Sequence, residues 1–178
     1  MKVGRAFVEM PLGAALLLAV PLTAAPRLGT ASGIRWTVPP RWADQAPRSM
    51  RVATYTVPAP PGGEAGECAV FAFGPGQGGT VDANVQRWSA QFEGGPAPQR
   101  SRKQVGGLTV HLAQVSGTYL APGGPQMQSQ GKKTGYQLRG AIVEGPEGLI
   151  FFKLTGPAAT VAAAQAEFDA LVASIVRG

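Results

Sequence analysis

The chain has 178 residues, room for one domain. Apolar residues make up 44% and charged residues 15%, which suffices for a packed core. The 25 glycines and 16 prolines follow no Gly-X-Y period, so they mark long turns and exclude collagen. Cys68 is the single cysteine and His111 the single histidine, which excludes a disulfide scaffold and a Cys/His zinc site.

Lys2 and Arg5, the apolar run Leu12 to Leu22 and the small residues after it read as an export signal. The run is short for a membrane span and Pro21 interrupts it. Pro26 disfavours a cut after Ala25, so cleavage is expected near Ala31 or Ser32. Residues 1–33 are then signal peptide and linker, and residues 34–178 form one domain in the periplasm or outside the cell. The alternative is an uncleaved N-terminal anchor. The mature part carries 13 basic against 9 acidic groups, a net charge of +4. Its basic clusters, Arg100-Arg102-Lys103 and Lys132-Lys133, are not interleaved with aromatics, so nucleic acid is not an expected partner.

Ile34 to Val38 is a short strand stopped by Pro39-Pro40, and Met50 to Val57 alternates, with Ala53, Tyr55 and Val57 on one face. Residues 58–66 are a loop. Glu67 to Phe73 is apolar on both faces, which suits a central strand with Cys68 as a buried, inert thiol. After a glycine loop, Gly74 to Gly79, a helix begins with Thr80 as its cap. Its stripe is Val81, Val85, Trp88 and Phe92, and Gly94-Gly95 end it.

Residues 96–102 are polar and loop-like. Val105 to Tyr119 reads as one or two strands, with Gly106-Gly107 as a bulge. Residues 121–135 form a second loop. Tyr136 to Val143 and Leu149 to Thr155 make a hairpin, whose second arm is apolar on both faces apart from Lys153. Gly156-Pro157 opens a final helix with Val161, Ala164, Phe168, Leu171, Val172 and Ile175 on one arc. The order β-β-β-α-β-β-β-α predicts an α+β fold, an antiparallel sheet with helices packed on it in α/β/α layers.

The segments GPGQGGTVDANVQRWSAQF (74–92) and FFKLTGP (151–157), with Trp36-Thr-Val-Pro39, resemble a family of exported bacterial proteins without assigned activity. The resemblance runs from about Trp36 to Ile175. The element order is similar to the fold shared by PsbP, the extrinsic photosystem II protein, and Mog1, a Ran-binding protein. Proteins of that fold mostly bind other proteins, so the resemblance implies a binding role.

Gly74-x-Gly76-x-x-Gly79 matches a dinucleotide fingerprint, but its strand is the third of the mature chain and the next strand lacks an acidic end at Gln114-Val115. No cofactor is therefore expected. Two readings of the loop stay open: a sharp turn close to another strand, or free N–H groups at a helix start that hold a small anion. His111 points away from the Leu108/Val110/Leu112 face, and no G-x-S-x-G surrounds a serine. Glu64, Glu67, Glu144 and Glu147 are expected in loops as solvated carboxylates, with no catalytic pair.

One polar strip remains. Asn84, Arg87 and Gln91 line one edge of the first helix's apolar face, with Gln77, Gly78 and Gly79 just ahead of it. An arginine beside two amides holds a carboxylate or carbonyl in fixed geometry. The strip either ties the helix to the 74–79 loop or to the start of the last helix near Gly156, or it contacts a ligand or partner. The function expected is a non-enzymatic extracytoplasmic domain that binds a protein or envelope component. The alternative is a carrier or sensor of a small amphiphile or anion held between sheet and helix.

Overall fold

The computed structural model describes residues 25–121 and 131–178. Residues 1–24, most of the segment read as an export signal and linker, and residues 122–130 of the second loop lie outside the described residues. Among those described, no helix is long and apolar enough to cross a membrane.

A large antiparallel sheet forms the middle layer. It contains β3 (Ala43–Asp44), β4 (Ala53–Val57), β5 (Gly66–Ala72), β6 (Phe92–Glu93), β7 (Gln99–Val105), β8 (Leu108–Leu120), β9 (Lys132–Gly145) and β10 (Gly148–Pro157). The strands lie in the order β3-β4-β5-β10-β9-β8-β6, and β7 pairs with β8. A smaller sheet joins β1 (Leu28–Ala31), β2 (Ile34–Thr37) and β11 (Val176–Arg177) in the order β1-β2-β11. Helix α1 (Val81–Ser89) packs on one face of the large sheet, while α2 (Ala158–Ala163) and α3 (Gln165–Ala173) pack on the other. The fold is α+β in three layers, as expected.

The double-sided apolar pattern of β10 follows from this placement. Ile150, Phe152 and Leu154 enter the core with Trp36, Cys68, Phe168, Leu171 and Ile175. Phe151 turns to the opposite core with Val85, Trp88, Leu138 and Ile142. Each such side chain contributes about 1.5–3 kcal/mol on burial. Trp36 meets the edge of Phe152 at 5.0 Å between centroids, a favoured aromatic arrangement.

Several boundaries depart from the sequence reading; β9, for one, begins at Lys132, inside the stretch expected to be a loop. Residues 99–105, most of them expected in a loop, form strand β7, and Gly106-Gly107 is no bulge but the two-residue turn joining Val105 to Leu108. Both glycines have positive φ, 55° and 75°, the backbone that a tight hairpin of matching twist requires. β7 is illegible in the sequence because its side chains are mostly exposed on both faces, so no alternation marks it. Helix α1 stops at Ser89, before Gly94-Gly95, because Phe92 and Glu93 leave it to pair with Tyr119 and Thr118. Phe92 still packs on the α1 core.

The final helix is two helices, interrupted at Ala164 (φ −87°, ψ 0°), and nothing in the sequence there explains the break. Backbone bonds from Ala164 to Thr160 and from Phe168 to Ala164 continue across it. Lastly, the folded body begins before residue 34. Strand β1 pairs with β2 over Leu28–Ala31, and Arg27 donates to Pro39 O and Trp42 O and pairs with Asp44. The stretch expected to be linker is thus part of the fold.

Candidate functional site

The polar strip of α1 closes on itself. Thr80 Oγ1 accepts from the Ala83 N–H at 3.1 Å and caps the helix. Asn84, buried, donates through Nδ2 to Gly78 O at 2.7 Å and to Thr80 O at 2.8 Å. Its Oδ1 accepts from Arg87 Nη1 at 2.9 Å. Asn84 therefore spends both amide protons on the loop, and the strip ties α1 to residues 74–79 rather than to Gly156. Gly78 has φ 82°, and a Cβ there would lie 2.9 Å from Phe73, which demands glycine. The Gln77 N–H donates back to Gly74 O at 2.9 Å. Beside this loop lies an open depression of about 460 Å3, lined by Gln77, Gly79, Thr80 and, across from them, Glu144 and Gly148.

Gln91 belongs to a different group. Its Oε1 accepts from Lys153 Nζ at 2.6 Å. Lys153 stands 5.8 Å from the centroid of the Tyr119 ring, which stacks on Tyr136 at 5.8 Å and 2°. Desolvation, helped by the Arg51 cation and opposed by Glu67, pushes the Lys153 pKa down to about 8. At the far side Glu64 accepts from Lys133 and from the Tyr136 hydroxyl, each at 2.7 Å. Those bonds hold the Glu64 carboxyl below its ordinary range. The one signal for this cluster in the sequence is a lysine inside LIFFKLT.

The expected loop carboxylates are corrected likewise. Glu67 lies in β5 and pairs with Arg48 and Arg51, while Glu144 lies in β9 and meets His111 Nε2 at 2.6 Å. Their partners stand on neighbouring strands or loops, which sequence separation conceals. Asp82 pairs with Arg100 and Asp169 with Arg139, so neither reaches His111. Burial pushes the Cys68 thiol pKa far up, leaving no thiolate at neutral pH. Among the described residues no group of three His, Cys, Asp or Glu side chains gathers as a metal site.

A third feature is the sheet's outer edge. In a two-residue hairpin the closing pair bonds inward, so Val105, Lys103, Ser101 and Gln99 bond to β8. The N–H and C=O groups of Gln104, Arg102 and Arg100 point away from it. Side chains alternate: Arg100 and Arg102 lie on the α1 side with His111, and Ser101 and Lys103 on the other. At the Gln99 end, a recess of about 250 Å3 is lined by Gln99, Ser101, Gln114 and Arg139, among others. Arg139 spans Asp169 at 2.8 Å and Gln114 at 3.3 Å.

A large antiparallel sheet with a few helices packed on it is a PsbP-like α+β fold. The chain is similar to CyanoP, the cyanobacterial PsbP of Synechocystis sp. PCC 6803, with a TM-score of 0.51. The match has 12% identity and covers 90% of this chain and 98% of that one. PA94 of Pseudomonas aeruginosa, a protein of unknown function, aligns over 87% of this chain and 99% of its own at 14% identity and a TM-score of 0.49. No family model and no curated protein matches the chain. At these identities the likeness shows the fold alone.

Proposed function

We propose that this chain is a non-enzymatic, exported binding module that docks a protein partner of the cell envelope at the free edge of its large sheet. The observation that carries the reading is β7, a seven-residue edge strand with exposed Arg100, Ser101, Arg102 and Gln104. An edge strand with unpaired backbone groups is a template for another polypeptide. The carrier alternative is disfavoured by packing: Val85, Trp88, Leu138, Ile142 and Phe151 occupy the space between α1 and the sheet. Acid–base or thiol chemistry is disfavoured because Cys68 is buried and Ser101 projects from the opposite face of the sheet to the His111–Glu144 pair.

The test is a photo-reactive residue at Ser101, introduced into the full chain in its own host. The reading expects a discrete protein adduct that is absent when the same residue replaces Arg35 on the small sheet. Adducts with lipid alone, or none, would remove it.

A further inference from the structure

The geometry points to an acidic, extended polypeptide segment as the occupant of this edge, added to β7 as a further strand. The inference rests on the reading that β7 docks a protein, and specifies the partner's chemistry. Arg100, Arg102 and Gln104 each offer one donor and one acceptor along the outer side of β7, in the spacing that a neighbouring strand presents. Arg102 and Lys103 make no ion pair among the described residues, and Arg100 shares its charge with Asp82. Since Arg102 and Lys103 project to opposite faces, an added strand meets a cation on either side. Glutamates or aspartates opposite them gain cross-strand pairing, whereas like charges there destabilise. A second copy is disfavoured on the same ground, because antiparallel β7–β7 pairing would set these cations against one another.

The recess at the Gln99 end extends the match. It places the Gln99 and Gln114 amides, the Ser101 hydroxyl and the Arg139 guanidinium around a space of about 250 Å3. The Gln99 and Gln114 amides and the Ser101 hydroxyl can donate to a carboxylate there, beside Arg139, whose charge is already shared with Asp169. The competing account of a basic edge strand is that its charges only repel other sheets, and backbone pairing separates the two.

The probe is a fluorescent, end-blocked heptapeptide with glutamates in adjacent pairs separated by valine, so that both faces of the extended strand carry acids, titrated against the folded chain by anisotropy. One comparison peptide carries lysine for glutamate. A second keeps the glutamates but is N-methylated at every second residue, in two versions that together block both backbone registers. We expect binding of the acidic peptide, none of the basic one, and at least about tenfold weaker binding of one N-methylated version. The R102E/K103E double variant should also bind about tenfold more weakly while melting like the parent. Equal binding of both N-methylated versions would overturn strand addition in favour of plain charge attraction. Absence of acidic-peptide binding would overturn the proposal outright. If Ser101 still cross-links a protein in that case, edge docking stands and only the acidic-strand assignment falls. The peptide comparisons use the unaltered protein, so they decide between these outcomes even where the double variant misfolds.

Discussion

Trp88 occupies the space that a side chain at position 140 would need: a Cβ built on Gly140 would lie 2.2 Å from Trp88 Cζ3. The bare backbone of β9 is thus what lets α1 lie close to the sheet, with Trp88 set edge-on to Phe151 at 6.4 Å. Gly140→Ala should cost about 1–3 kcal/mol by overpacking. Trp88→Ala should cost about 3–5 kcal/mol, as should Phe168→Ala, whose ring is fully buried beneath α3. In the double variant Trp88→Ala/Gly140→Ala the alanine at 140 enters space that the indole vacated. Its loss in urea unfolding should therefore be smaller than the two single losses added. Strict additivity would mean that the two residues do not share that space.

Asn84 anchors the loop through donors that few residues could replace. Asn84→Ala leaves the Gly78 and Thr80 carbonyls without these partners and should destabilise by about 1–3 kcal/mol. Asn84→Asp keeps the acceptor for Arg87 but cannot donate, so it should lose stability too. Arg87→Ala removes one bond that an exposed guanidinium makes to the Asn84 oxygen and should cost under about 1 kcal/mol. Urea midpoints at one pH check the ranking. An Asn84→Ala protein as stable as the parent would make the strip solvated surface.

Lys153 gives the fold a pH signature. Its pKa lies at about 8 in the folded chain against 10.5 for an ordinary lysine. Between those values the unfolded chain holds a proton that the folded chain has released, so this group makes stability rise with pH from about 8 to 10.5. Below pH 8 the fold carries a constant penalty for a charged, desolvated amine. Lys153→Met removes that penalty, so its stability advantage over the parent should shrink across this window. Urea midpoints of both proteins at several pH values measure the difference. A gap that stays constant would place Lys153 in ordinary solvent.

Strand β1 constrains where an exported form of this chain begins. A Cβ on Gly29 would lie 2.2 Å from the Trp36 indole, so β1 lies directly over that buried ring. A cut at Ala31 or Ser32 would uncover it and remove the Arg27 bonds to Asp44, Pro39 and Trp42. N-terminal sequencing of the exported protein should therefore find a first residue no later than Arg27. A start at Ser32 or Gly33 in a stably folded protein would show that β1 is dispensable.

The chemistry of the candidate site is only partly readable from the sequence. Asn84, Arg87 and Gln77 stand out because they lie within one loop-and-helix unit, where helical spacing sets their positions. The same spacing groups Gln91 with them, yet its partner is Lys153, 62 residues away. The His111–Glu144 pair and the Glu64–Lys133–Tyr136 group leave no local trace, because strand pairing across β8, β9 and the 58–66 loop brings them together.

What the sequence determined alone were the elements with one wet and one dry side, and those dry on both. Periods of two and of 3.6 register burial, so β4, β5, β10, α1 and the apolar arc of the last helices are legible, and with them the α+β class. Burial leaves no such trace on β7, whose two faces are both polar, nor on β1, where only the bare Gly29 backbone lies against the Trp36 ring. Only the tertiary structure decided that β7 is an open edge and that Lys153 is enclosed. Edges and enclosures depend on which strands become neighbours, and that order is set by packing of the whole sheet rather than by any local run of residues.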